Sequence, residues 1–91
     1  VKIRELLSDE SKWTKGASTR DVAGRPVNPL DTAAVCWCLD GAAEKCAVGF
    51  NEYRDVMDTL AEKLKPAPYK WNDAKQRSFA DVRLLVEKLD I

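Results

Sequence analysis

Three groups of side chains in this sequence have the types and spacing that chemistry requires. They are the thiols of Cys36, Cys38 and Cys46, the carboxylates of Asp40 and Glu44, and the basic-aromatic run from Lys63 to Arg77. The thiols offer three soft ligands where a structural zinc site takes four, and the sequence holds no histidine to complete the set. The same absence removes the imidazole that usually activates a nucleophilic cysteine. On a helix, Asp40 lies one turn from Cys36 and Glu44 lies two, and neighbouring carboxylates disfavour the thiolate. The cysteines are therefore expected to pack, and no catalytic residue, metal or cofactor is assigned.

Asp40 and Glu44, at i and i+4, share one face of a helix. Such a pair can hold a divalent cation, or act as the acid and base of a hydrolase. A solvated stripe, or one covered by Arg20 or Arg25, explains the pair more simply and is preferred. In the third group, Lys63, Lys65, Lys70, Lys75 and Arg77 stand against Asp73 alone, a net charge of +4, and are interleaved with Tyr69 and Trp71. Basic groups alternating with aromatics can grip phosphates while stacking bases. Tyr69, Lys70, Trp71, Asn72, Asp73, Lys75 and Arg77 are accordingly the candidate ligand-binding residues. A structural role competes with this and is favoured: Tyr69 and Trp71 anchor a loop through their apolar bodies, while Asn72 and Asp73 close a tight turn on the local backbone.

These groups need elements to hold them. The run from Asp31 to Ala47 reads as one helix, apolar or small around most of its circumference and so buried on several sides. At 100° per residue, Val35, Cys38, Leu39, Ala42 and Cys46 share a face, opposite Cys36, Asp40, Glu44 and Ala47. Cys36 and Cys38 then diverge, while Cys38 and Cys46 lie about 12 Å apart along the axis. Gly41 weakens a helix by about 1 kcal/mol relative to alanine, so its presence implies that another backbone passes close. Asp31 is the expected cap, and Gly49 the expected left-handed stop.

A first helix is expected over Lys2–Trp13, although Ser8 and Asp9 can cap a fresh turn within it. Asp21 and Gly24 bracket a turn in residues 16–28, which form either a short β-hairpin with Pro26 at an edge or a bare loop. Asn51 is placed to cap a third helix ending near Leu64, with Tyr53, Val56, Met57, Leu60, Ala61 and Leu64 on its inner face. Ser78 and Asp81 form an acidic capping box for a last helix, whose buried stripe is Phe79, Val82, Leu85, Val86 and Leu89. The expected fold class is mainly α: one domain spanning residues 1–91, with four helices packed around the buried Asp31–Ala47 helix and a possible hairpin between the first two.

With 91 residues, of which 33% are charged, the chain has enough material for one modest core and a well-solvated exterior. Formal charge sums to zero but is uneven: residues 1–30 carry +2, residues 31–62 carry −5 and residues 63–91 carry +3. No domain-wide basic footprint for nucleic acid results, and only the last third keeps that partner open. There is no apolar run for a membrane span and no secretory pattern. An odd number of cysteines suits reduced thiols in the cytoplasm. Because the chain begins at Val1 and not at Met, a segment upstream, a removed targeting sequence included, stays open.

Three stretches occur in a telling order: Trp13-Thr14-Lys15-Gly16 leading to Arg20-Asp21 and Gly24-Arg25-Pro26-Val27, then Ala34-Val35-Cys36-Trp37-Cys38-Leu39-Asp40-Gly41-Ala42, then Trp71-Asn72-Asp73-Ala74. As an ordered set they resemble a family of small bacterial proteins of unknown function, across roughly Trp13 to Leu89. Trp37, Cys38, Gly41, Trp71, Asn72 and Asp73 match that family's pattern, whereas Cys36 and Asp40 look like local variations. The resemblance implies a shared helical fold and no assigned activity, and so supplies no catalytic residue. The expected function is a small binding or interaction module without catalysis, with a protein partner or a second copy of the chain as the expected contact.

Overall fold

In the computed structural model, which describes residues 1–91, the stretch expected to be one central helix divides at Cys38. Residues Ala34–Trp37 form a strand, β2, and only Leu39–Cys46 form a helix, α2. The single Asp31–Ala47 helix is thus corrected. Val35 and Trp37 suit a strand, and the backbone groups of this stretch find partners on both sides. On one side β2 pairs antiparallel with β1, Thr19–Asp21, in the register Thr19↔Trp37 and Arg20↔Cys36, with an irregularity before Asp21↔Ala34. On the other side the Thr14 amide donates to the Trp37 carbonyl at 3.1 Å. Asp31 does not cap a helix; its carboxylate accepts from the Ala33 amide at 2.8 Å, closing a turn.

The wheel drawn across residues 35–47 fails with the helix. Val35, placed on the inner face by that wheel, is an exposed strand residue, while Trp37 is 7% exposed in the core. The idea of a buried central helix survives in α2, where Leu39, Gly41, Ala42, Ala43 and Cys46 are all buried. Gly41 carries the close backbone approach that its cost predicted. A Cβ at that position would lie 2.0 Å from the Ser18 carbonyl oxygen.

The expected hairpin within residues 16–28 is real only in part. Its turn forms, with Asp21 buried and accepting from the amides of Ala23 at 3.0 Å and Arg25 at 2.9 Å. Only one isolated bridge, Arg20↔Pro26, follows that turn, on the edge of β1 opposite β2. The expected Lys2–Trp13 helix is likewise two pieces: α1, Ile3–Leu6, and a 3₁₀ turn over Glu10–Lys12 capped by Asp9, whose carboxylate accepts from the Ser11 amide.

Helix α3 spans Gly49–Lys63, starting before the expected Asn51 cap, because Gly49 at φ +82° turns the chain sharply off the end of α2. Leu60 and Leu64 are buried as expected, whereas Ala61 is exposed. The connection to the last helix is not structureless; it contains α4, Pro68–Asp73, opened by proline in the first turn. Helix α5, Phe79–Leu89, begins with the capping box read from Ser78 and Asp81. The molecule is mainly helical, with five α-helices and a two-stranded antiparallel sheet rather than four helices. Its core is a cluster of eleven buried residues: nine from α1, β2, α2, α3 and α5, with Leu7 and Leu64 just past the ends of α1 and α3. No helix is long and apolar enough to cross a membrane.

Candidate functional site

The three stretches that carry the family resemblance meet at the first turn of α2. Asn72, the penultimate residue of α4, is completely buried and uses its whole amide there. Its Oδ1 accepts from Trp13 Nε1 at 2.7 Å and from the Leu39 amide at 3.2 Å. Its Nδ2 donates to the Thr14 carbonyl at 3.0 Å and to Asp73 Oδ1 at 2.9 Å. Asn72 therefore does not close a local turn, as its sequence neighbourhood implied. It ties α4 to the 13–14 segment and satisfies one of the free amides that begin α2.

Cys38 is the N-cap of α2. It has extended backbone angles, and its Sγ accepts from the Gly41 amide at 3.4 Å. A thiol at a helix N-terminus is often acidified, but not here. Burial pushes the Cys38 thiol up to about 11, the carboxylates of Asp40 and Asp73 add to that, and the Gly41 amide only partly opposes it. The group stays a neutral thiol at ordinary pH and is a poor nucleophile. Cys36, Cys38 and Cys46 are all free.

Beside this cap lies a cleft of about 280 Å³ lined by Gly16, Ala17, Ser18, Cys38, Asp40, Tyr69 and Asp73. Its floor follows from the close crossing at Gly41, where the small residues 16–18 lie across the start of α2. The Cys38 amide donates to the Ser18 carbonyl at 3.0 Å, which fixes the crossing. Asp73 is held at the rim, its Oδ1 accepting from the Gly16 amide at 3.1 Å as well as from Asn72.

Thr19 Oγ1, at the Gly41 crossing, is buried without a hydrogen-bond partner, and Asp40 is the one carboxylate in the same position. Its Oδ1 is shut off from water and has no hydrogen-bond partner. Burial, and then the Asp73 carboxylate, raise its pKa above the ordinary aspartate value. The arginines considered as its cover are engaged elsewhere. Arg25 Nε donates to Asp21 Oδ2 at 2.9 Å. Arg20 donates to Thr14 Oγ1 and to the carbonyls of Lys15 and Gly24. None of the ion pairs in the molecule includes Asp40.

Glu44, the other half of the i, i+4 pair, is exposed and lines a different depression, together with Leu30, Ala47, Gly49, Phe50 and Tyr53. No three His, Cys, Asp or Glu side chains are grouped to hold a metal ion.

The residues singled out between 69 and 77 are dispersed. Tyr69, half exposed, and Asp73 line the cleft, while Asn72 is buried behind it. Trp71 and Arg77 lie in another shallow depression, with the guanidinium 3.8 Å from the ring centroid and Arg77 Nε donating to the Trp71 carbonyl. One face of that indole is thus already occupied by a cation. Lys70 and Lys75 are exposed.

The cleft also uses residues that the sequence did not mark. Cys38 escaped notice as a cap because caps are read from oxygen-bearing side chains. Residues 16–18 escaped because only the penalty at Gly41 hinted at a crossing, and not at what crosses.

Searches among curated proteins and solved structures return no match. A protein-family model matches residues 2–89, nearly the whole chain. The chain belongs to a family of unknown function, DUF6197.

Proposed function

We propose that the domain is a non-catalytic binding module that takes an organic cation, an alkylammonium or guanidinium group, in the cleft at the start of α2. The observation that carries this reading is the Asp40 carboxylate, partly buried beside a second carboxylate and without an ion pair or a partner for Oδ1. A partly buried carboxylate without an ion pair costs stability, and a ligand cation lowers that cost by neutralising the group. Tyr69 adds an aromatic wall suited to a cationic head group. Catalysis finds little support in the same residues, since the one thiol present is held protonated and no imidazole is available. Three free thiols fit a reducing cytoplasmic setting.

The test is an amide-shift titration with n-butylamine, with butyrate as the oppositely charged control. Saturable shifts at Gly16, Ser18 and Gly41 with the amine alone, lost in Asp40→Asn, are the expected result. Equal shifts with butyrate, or no saturation with the amine, would remove the cleft as a cation site.

A further inference from the structure

The depression one helical turn along α2 from the cleft remains unexplained by a small cation. Leu30, Phe50 and Tyr53 line it, and Val48 is two residues before Phe50 in sequence. Leu30 is 59% exposed, Phe50 71% and Val48 79%. A chain of this size rarely leaves such a cluster open without a use for it. The groove holds about 310 Å³, and Glu44 on its wall is an exposed acid.

The cleft and the groove lie along one edge of α2. Asp40 belongs to the first and Glu44, one turn further along, to the second. Their separation along the helix is about 6 Å, a distance that two residues of extended chain cover. The segment from 31 to 62, which supplies most of this edge, carries −5.

Resting on the cation reading of the cleft, we propose that the natural occupant is a basic-apolar peptide segment of another protein. Its lysine or arginine enters the cleft at Asp40, and an aromatic or large aliphatic side chain about two residues away seats in the Leu30/Phe50/Tyr53 groove. Charge complementarity selects this occupant over a second copy of the chain placed face to face, since two copies would bring their acidic edges together.

Three probes separate the possibilities: n-butylamine, acetyl-Lys-Ala-Phe-amide and acetyl-Glu-Ala-Phe-amide, each titrated into wild type, Asp40→Asn and Phe50→Ser. Phe50 is exposed, so its replacement leaves the fold intact. The lysine peptide is expected to bind more tightly than butylamine and to weaken about tenfold in Phe50→Ser, with shifts at Gly49 and Tyr53 as well as at Gly41. Butylamine binding should be insensitive to Phe50→Ser.

If butylamine binds through Asp40 but the peptide binds no better and ignores Phe50→Ser, the peptide proposal falls and the cation site stands. If neither butylamine nor the lysine peptide binds wild type, the cation site itself falls. Equal binding of the glutamate peptide overturns the charge argument. Self-association of wild type that disappears in Phe50→Ser assigns the groove to a second copy instead, and also overturns the proposal.

Discussion

Two polar side chains flank the first turn of α2 and meet opposite fates. Asn72 is fully buried, and each of its amide atoms has partners, joining segments far apart in sequence. Asp40, on the other side of the same turn, has a buried oxygen with no partner and no cation to neutralise it. A satisfied buried amide fixes one arrangement of the chain. A carboxylate without a partner burdens the native state while it is ionised, and is relieved by a proton or by a bound cation. Natural sequences keep such local conflicts where function needs them. On the reading proposed above, the contrast sets scaffold beside site within a single helical turn.

The largest effect that can break this comparison is at Asn72. Asn72→Ala leaves Trp13 Nε1, the Leu39 amide and the Thr14 carbonyl without their partner, and should cost on the order of 3–5 kcal/mol in a denaturant unfolding experiment. A loss below about 1 kcal/mol would mean that water replaces the amide freely, and that Asn72 is no hub.

Gly41→Ala comes next. Its methyl group would collide with the Ser18 carbonyl, which is backbone and cannot swing aside. A loss of about 3 kcal/mol is expected, together with altered amide shifts at residues 16–18; an unperturbed melting curve would show that the crossing is looser than described.

Cys38→Ala should cost about 1 kcal/mol through the lost cap. Cys38→Ser, which keeps an acceptor for the Gly41 amide, should restore most of that, and equal losses in the two variants would rule out the capping role.

The smallest effect has the opposite sign. Asp40→Asn should raise the melting temperature by a few degrees at pH 7, because the carboxylate's raised pKa makes its ionised form a burden on the native state. The direction with pH follows from the same shift. A native pKa above the ordinary value of 3.8 means that the folded protein holds the proton more tightly. Stability contributed by Asp40 is then full below 3.8 and lost as pH rises through its raised pKa. The advantage of Asp40→Asn should accordingly shrink towards zero as pH falls towards 3.8. Asp21 and Asp81, both lowered by hydrogen bonds from nearby backbone amides, act in the other direction, and their stabilisation is lost only below that range. A pH-independent difference between wild type and Asp40→Asn would locate the effect in packing, not charge.

Much of the scaffold was legible where a local rule sufficed. The Ser78/Asp81 capping box, the apolar stripe of α3, the turn at Asp21 and the left-handed Gly49 all follow from short-range chemistry, and the structure agrees. The penalty at Gly41 even announced a backbone neighbour that is present. What misled was the alanine-rich start of the central segment, where helix propensity is high but the partners of β2 lie at residues 13–14 and 19–21. Non-local pairing overrides propensity and leaves no mark in the paired segment itself. The site was harder still. Asn72 and Asp73 look like turn residues in sequence, and only the fold carries them to Trp13, Gly16 and Leu39. Asp40 was visible as a carboxylate, but its missing partner is a property of three dimensions.

The most direct measurement is the pH titration of the Asp40 carboxyl carbon by NMR, assigned by its disappearance in Asp40→Asn and recorded with and without n-butylamine. The account predicts a midpoint above the ordinary aspartate range in the free protein, moving downward once the amine binds, because a bound cation favours the charged carboxylate. An Asp40 that titrates in the ordinary range, at a midpoint the amine does not move, would contradict it.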